Sequence, residues 1–499
     1  MRTLEDVRRA VSPRFVPPPT PLRSVLIHGG VATLWLALFA RAWVADGPFA
    51  WSTGLVYVGY DTFLPVFVAW QTLPLARRRP EAAPKVGARR TTLGVIVAAQ
   101  NEAPVLPQAL AALLAQSDPP DEILIADDGS TDGTARLLAE RYGLAPPLLG
   151  GVSGGSAAFA TLRWLRLAHG GKARALNAAV AAMGTDVVVT VDADTLLDGD
   201  AIAAMRAAFA ADPALVAATG LLSPECGQRL AGRVLQWFQT YEYVRNFLAR
   251  FAWMRSDGLL LISGAFAGYR RGAVLSVGGF DPDCLVEDYE LIHRLRRSAV
   301  HRGLTWRTAV LGEARARTDA PATIPAFFSQ RRRWFGGFLQ TQWWYRDMVG
   351  DARYGRVGTL MLPLKAIDTL QPIYGLTAFG LLAVYLATGR LSVALPVGGV
   401  IGAKILLDFA LHLWFVHLYH GWSAGRTHAT LGAAFLAALV EPFSFQLLRH
   451  TAAAWGWVTF LTGQSRWSRQ RRNWMLARAG SSLTASPSGR AARSHGGIG

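Results

Sequence analysis

The sequence predicts an α/β domain with a doubly wound, largely parallel sheet, inserted between N-terminal and C-terminal transmembrane helices. Three observations carry this. Apolar stretches gather toward both ends of the 499-residue chain, long enough to cross roughly 30 Å of hydrocarbon. Between them, residues 91–345 alternate short apolar runs with helical patterns in the order βαβαβ, as in parallel sheets with crossover helices. Two of the runs stop at clusters of carboxylates, and open α/β sheets bind ligands at the carboxyl ends of their strands.

Hydrophobic residues make up 51% of the chain and charged residues 17%, a balance that suits a membrane protein. The net charge of +17 would suit nucleic acid, but its clusters flank apolar spans: Arg77, Arg78 and Arg79, then Arg466, Arg469, Arg471 and Arg472. Cytosolic loops collect Lys and Arg in that way. The charge therefore reads as topology and contact with anionic lipid headgroups, with no nucleic acid partner. Cys226 and Cys284 stand in no metal or redox spacing and are too few for a disulfide framework, which suits a reduced cytosolic setting.

In chain order, residues 1–23 are polar, basic and proline-rich and read as a loose cytosolic arm. Residues 24–80 hold two transmembrane helices, near 24–45 and 51–75. The first follows basic residues and carries Ala40-Arg41-Ala42, so it imitates a cleavable signal. The arginines after the second argue instead for an uncleaved hairpin with both ends in the cytosol. Residues 85–345 form the α/β domain with interfacial helices. Strands are expected at 93–98, 122–126, 186–191 and 215–219, and helices at 105–116, 132–141 and 172–183. Residues 355–465 return to apolar character, with spans near 370–388 and 391–417. A last stretch at 429–461 is broken by Glu441-Pro442, since proline suits the first turn of a new helix. The tail, 466–499, is basic and largely disordered, and its arginines put it in the cytosol.

The first strand runs into Gln100-Asn101-Glu102 and the second into Asp127-Asp128-Gly129-Ser130-Thr131-Asp132. Acids at neighbouring strand ends converge on one crevice, where a fixed carboxylate can accept the ring N–H of a pyrimidine. The same residue types build ordinary turns and N-caps, so this motif alone leaves both readings open. Val187 to Val191 is an apolar run that stops at Asp192-Ala193-Asp194. Residues two apart on a strand point to one side. Two anions held together call for a divalent cation, Mg²⁺ or Mn²⁺, which would neutralise a diphosphate. Lys172 opens a helix after Gly171, a place that suits phosphate oxygens. Glu287 and Asp288 precede a helical pattern through Leu291, Ile292 and Leu295, which by itself is a cap. Gln330, Arg333 and Trp334 share one helix face. Trp334 stands among Phe327, Phe328, Phe335, Trp343 and Trp344, which suits a membrane-interface belt as well as a stacking platform for a sugar.

Four motifs thus occur in order: Asp-Asp-Gly-Ser at 127–130, Asp-x-Asp at 192–194, Glu287-Asp288, and Gln-x-x-Arg-Trp at 330–334. In these the chain resembles the inverting family 2 glycosyltransferases, in particular the processive membrane branch of cellulose, chitin, hyaluronan and poly-N-acetylglucosamine synthases. The resemblance covers about residues 93–345 and, less specifically, the flanking spans. It implies a GT-A fold and a hexosyltransferase that builds a β-linked polysaccharide from a UDP-sugar, UDP-N-acetylglucosamine or UDP-glucose, with coupled export. It implies donor contacts from Asn101, Glu102, Asp127, Asp128, Lys172, Asp192 and Arg333, and a metal on Asp194 and Asp192. Asp288, beside Glu287, would be the general base, and Gln330 and Trp334 would meet the acceptor. Implied partners are a nucleotide-sugar donor, a polysaccharide or glycolipid acceptor, the lipid bilayer, and export or accessory subunits. The implied location is the inner cell membrane, multi-pass, with the catalytic domain in the cytosol. Val286 stands where many members carry Thr, which loosens any inference about the product.

Two other functions fit the same residues. A non-processive enzyme adding one sugar to a lipid carrier would use the same donor site but leave Gln330 to Trp334 without an acceptor role. A transporter or assembly subunit with an inactive transferase-like domain would instead use acids in the spans, Asp368 and Asp408, because charge in a bilayer marks a pathway or a partner.

Overall fold

Among the described residues, eight strands form one sheet in the order β3-β2-β1-β4-β7-β6-β8-β5. They are β1 (Leu93–Ala99), β2 (Glu122–Asp128), β3 (Leu162–Leu167), β4 (Val187–Asp192), β5 (Thr195–Leu197), β6 (Leu215–Glu225), β7 (Phe266–Arg270) and β8 (Arg307–Asp319). The computed structural model describes residues 3–77, 90–425, 427 and 429–463. Arg78 and Arg79, residues 85–89 of the expected domain, and the tail 466–499 with Arg466, Arg469, Arg471 and Arg472 lie outside the described residues.

β1 pairs in parallel with β2 and β4, and β2 with β3. Along β1, Val95 and Val97 enter one hydrophobic core and Ile96 the other. Both faces of the sheet are covered, as near-continuous apolar runs require. The register sets Ala99 beside Asp127 and Ala98 beside Asp192, so the acids leave the sheet at one edge.

Beyond β4 the sheet departs from the largely parallel form. β7 runs antiparallel to β4 and β6, and β5 antiparallel to β8, while β6 and β8 are parallel. The strand expected at 215–219 is longer and is separated from β4 by β7. The strands without an expectation lack a sustained apolar run. β3 reads Leu-Arg-Trp-Leu-Arg-Leu, β5 is three residues long, β7 is five residues long with Gly268 inside it, and β8 breaks its short Ala309-Val310-Leu311 run at Gly312-Glu313 and then alternates Ala and Arg to Arg317.

Three helices among the described residues are long and apolar enough to cross a membrane: Leu22–Arg41, Val357–Ala387 and Leu391–Trp422. Leu431–Phe443 and Phe445–Leu461 meet that test together but are bent by 51° at Ser444, two residues after the expected Glu441-Pro442 break, which forms a 3-10 turn at the end of the first helix. Ser52–Thr72, the second arm of the expected hairpin, is a 21-residue helix but falls short of that apolarity, with Tyr57, Tyr60, Asp61 and Gln71 along it. Two further helices join the layers. Leu230–Arg255 stacks Phe238 on Phe445 and sets Trp253 against Phe67, each with ring centroids 5.0 Å apart. Ile324–Trp344 brings Phe327 to 5.1 Å from the same Phe445 ring.

The first residues are not a loose arm. Leu4–Val11 is a helix with a full capping box between Thr3 and Asp6, and Arg8 and Ser12 are buried. The proline run that suggested disorder begins only at Pro17. Leu4, Val7 and Val11 stand at helical spacing but are only half-buried, a pattern of two turns too short to outweigh the basic residues and the proline run around it.

Candidate active site

The carboxyl ends of β1, β2 and β4 open into a cavity of about 1830 Å³. Glu102, Asp128, Lys172, Asp192, Asp194, Glu287 and Asp288 line it from the α/β domain, and Gln330, Arg333 and Trp334 from the Ile324–Trp344 helix. Asn101 and Asp127, expected with them, stand behind this wall. Asn101 Oδ1 accepts from the Thr131 and Asp132 N–H groups at 2.6 and 3.1 Å. Asp127 accepts from Ser130 N–H at 2.9 Å and Trp164 Nε1–H at 3.3 Å. The two hold the turn after β2, with Asn101 at φ 57°, in the left-handed region that Asn tolerates.

Asp128 is 4% exposed. It accepts from Gly170 N–H at 2.7 Å and Gly171 N–H at 2.9 Å, and meets His169 Nδ1 at 2.9 Å. It thereby fixes the loop that launches the Lys172–Ala182 helix. Lys172 Nζ lies 2.5 Å from Asp192 Oδ1 and 4.0 Å from Glu287 Oε1. Burial opposes its charge, but Asp192, Glu287 and Asp288 outweigh burial and raise its pKa. The ammonium is a fixed cation at the helix start, where phosphate oxygens bind. Asp194 is 3% exposed and accepts from Thr195 Oγ1 at 3.5 Å.

Asp288 is oriented from two sides. Its Oδ2 accepts from Gly264 N–H at 2.6 Å and its Oδ1 from Tyr289 N–H at 2.8 Å. A carboxylate has about four lone-pair sites, so accepting capacity remains toward the cavity. A Cβ on Gly264 would come within 2.9 Å of that Oδ2, so glycine is what permits the close approach. Glu287 beside it is buried, and burial raises its pKa against the opposing charges of Lys172 and Arg333, with Asp288 adding to the rise.

On the opposite wall, Arg333 Nη1 donates to Leu285 O at 2.9 Å, tying its helix to the segment before Glu287. The Arg331 guanidinium sits 4.4 Å from the Trp334 ring and 4.8 Å from the Phe327 ring and donates to Glu242 at 2.6 Å. Gln330 Oε1 is buried without a hydrogen-bond partner. A buried acceptor left so costs roughly 1–3 kcal/mol, which a hydroxyl-bearing ligand in the cavity would relieve.

The cavity runs on between the membrane-side helices, where Asp61, Lys365, Asp368, Gln371, Arg449 and His450 line it. Asp368 was singled out from the sequence, but Asp61 was not, although an acid inside an apolar helix was the available signal. Asp408, also singled out, lies outside the lining and pairs with Lys404, which reaches Asp61 at 3.0 Å. Asn246 and Arg250 were missed too, since a helix of mixed polarity marks no face for a site. Among the described residues no group of three or more His, Cys, Asp or Glu is placed to hold a metal.

Residues 94–278 match the model of glycosyl transferase family 2, and residues 187–463, more than half of the chain, match that of glycosyl transferase family group 2. Poly-beta-1,6-N-acetyl-D-glucosamine synthase of Staphylococcus aureus is 30% identical over 280 residues, and that of Staphylococcus epidermidis 28% over 288. Each alignment covers 56% of this chain and 62% of the relative, so the chain spans less than two thirds of these relatives' length. The mannosyltransferase PcManGT of Pyrobaculum calidifontis, solved with GDP-Man and Mn²⁺, superposes with a TM-score of 0.52 at 21% identity, over 79% of this chain and 99% of that one. It shares the fold. With a family model over most of the catalytic sheet and the helices after it, the chain belongs to the family 2 glycosyltransferases.

Proposed function

We propose that the protein is an inverting, processive hexosyltransferase that moves N-acetylglucosamine from UDP-N-acetylglucosamine to the end of a growing β-linked polysaccharide. One observation carries this reading: the Asp288 carboxylate, pinned by Gly264 N–H, shares a cavity with the Lys172–Asp192 pair and with Trp334. Base, phosphate-binding cation and aromatic platform thus face one volume. The likeness to the staphylococcal synthases supports the choice of sugar and polymer.

Asp288 takes the proton of an acceptor hydroxyl as that oxygen attacks the anomeric carbon from the face opposite the nucleotide. The new C–O bond forms as the bond to the diphosphate breaks, and the electron pair leaves with UDP, so an α-linked donor gives a β-linked product. Lys172 and Arg333 face the departing charge, Asp128 orders the loop beside it, and Trp334 stacks on the acceptor sugar. Asp192 and Asp194 fit a hard divalent cation. They supply two carboxylates, and Mg²⁺ or Mn²⁺ commonly draws its remaining ligands from phosphates and water. When bound, such a cation supplies charge neutralisation of the diphosphate. The lining by Asp61, Asp368, Gln371 and His450 supports an exit path for the product between the membrane helices, with the catalytic domain on the cytosolic side of the inner membrane.

The test is UDP release by the purified full-length protein in detergent, across a panel of nucleotide sugars, with and without chelator. Release should be greatest with UDP-N-acetylglucosamine and fall at least about 10²-fold on chelation, returning with Mg²⁺ or Mn²⁺. Release from no UDP-sugar, or release indifferent to chelation, would contradict the reading.

A further inference from the structure

The segment between Gly278 and the catalytic Glu287-Asp288 pair is clamped from two directions. From within the domain, Asn177 holds Phe280: its Nδ2–H donates to Phe280 O at 2.8 Å and its Oδ1 accepts from Phe280 N–H at 2.7 Å. Asn177 lies on the helix that begins with Lys172, so this clamp ties the phosphate-binding helix to the base-bearing loop. The second clamp comes from the far end of the sequence. Arg8, 6% exposed, donates from Nη1 to Gly278 O at 3.2 Å and Phe280 O at 3.1 Å. Gly278 has φ +84°, and a Cβ there would stand 2.3 Å from the Arg8 backbone nitrogen, so the loop is shaped to receive the N-terminal helix.

Arg14 adds the stronger hold. Its Nη1 donates to both oxygens of Asp281 at 2.6 and 2.8 Å and its Nη2 to Asp283 at 2.7 Å. Asp281 is fully buried and its Oδ1 also accepts from Asp283 N–H at 3.0 Å, so the guanidinium fork and the turn order one another. Arg14 lies 5.1 Å from the Trp344 ring at the end of the Ile324–Trp344 helix, and Arg297, on the helix that Glu287 opens, donates to Val11 O at 3.3 Å. One N-terminal segment therefore touches the loop before the base, the helix after it and the helix that carries Trp334.

We propose that residues 3–15 are a strap that positions Asp288, with Arg14 as its principal positioning residue. The strap contributes no atom to the reaction. It holds the loop 278–286 so that the carboxylate keeps its place against Gly264, and a misplacement of about 1 Å at a reacting group can cost around 10²-fold in rate. The proposal rests on Asp288 being the general base. Deletion of the strap should slow the chemical step while leaving the donor site, built on β1, β2 and β4, unaffected.

The experiment uses the purified full chain, with UDP release as the readout. Arg14→Ala should lower kcat about tenfold with donor KM within twofold. Arg14→Lys should recover only part of the loss, because lysine cannot form the bidentate fork. A chain without residues 2–15 should show the same loss and regain rate when a peptide of residues 1–16 is added. Asp283→Asn, which removes only the exposed side of the contact, is the milder variant should Arg14→Ala not fold, with the same direction expected. Unchanged kcat in these variants, or a rise in donor KM at constant kcat, would overturn the strap. Failure of the underlying reading would appear separately, as full activity of Asp288→Asn in the unaltered chain.

Discussion

Asp288, the proposed base, accepts one backbone N–H on each oxygen, and that hold fixes where its carboxylate sits. Replacing it by asparagine keeps its size and removes its ability to take a proton. Asp288→Asn should lower kcat by about 10²–10⁴-fold while UDP-sugar binding, measured by calorimetry, stays within a few-fold. Gly264→Ala tests the hold itself. Its new methyl would press on Asp288 Oδ2 from 2.9 Å, and the displaced carboxylate should cost about 10–10²-fold in kcat with donor affinity preserved. Equal rates for Gly264→Ala and the parent protein would show that the position of the carboxylate does not matter. At this scale the sequence told identity better than role. Asp128, Lys172, Asp192 and Asp288 were all legible as acids and a cation at element ends. That Asp127 and Asn101 serve the turn behind the wall depends on which hydrogen bonds close, which no residue type announces.

The helix Glu287–His301 carries the proposed base, Asp288, on its first turn and is seated by a polar core beneath it. Arg294 pairs with Glu290 at 2.5 Å with both side chains fully buried, and Tyr345 O–H donates to Glu290 at 2.5 Å. His293 packs between Tyr289 and Tyr345, with ring centroids at 4.5 and 5.3 Å. Burial pushes its pKa down to about 4 from the usual 6.5. A depressed histidine gives the folded state stability that is present above the unfolded value and lost as pH falls through 6.5 toward 4. The loss should be on the order of 2 kcal/mol between pH 7 and pH 5, read as a drop in the thermal unfolding midpoint, and His293→Phe should flatten that dependence. An identical pH profile for parent and variant would contradict it. Elements were readable where one periodicity ran unbroken, as in β1, β2, β4 and the Lys172–Ala182 helix. They were lost where the pattern was short or mixed. β7 occupies five residues, and the N-terminal helix buries Arg8 rather than an apolar stripe, so its docking followed from long-range ion pairs that local pattern cannot show.

Across the whole molecule, one cavity runs from the strand ends of the α/β domain in among the flanking helices. One end is lined by Asp128, Lys172, Asp194 and Asp288, and the far end by Asp61, Asp368, Gln371 and His450 from the helices Ser52–Thr72, Leu362–Ala387 and Phe445–Leu461. Polar side chains facing inward from such helices mark a pathway or a partner, and here Lys365 pairs with Asp368 and Lys404 with Asp61. Both ends were legible separately, in the strand-end acids and in Asp368, but their continuity depends on the Leu230–Arg255 and Ile324–Trp344 helices bridging the layers. Transfer and exit are proposed to share this one volume. Sealed inside-out membrane vesicles bearing the protein, supplied outside with labelled UDP-N-acetylglucosamine, test it most directly. Long labelled polymer is expected inside the vesicles, protected from added glycan hydrolase until detergent is present. Label confined to a single-sugar glycolipid, or polymer fully exposed to the hydrolase on intact vesicles, would contradict it.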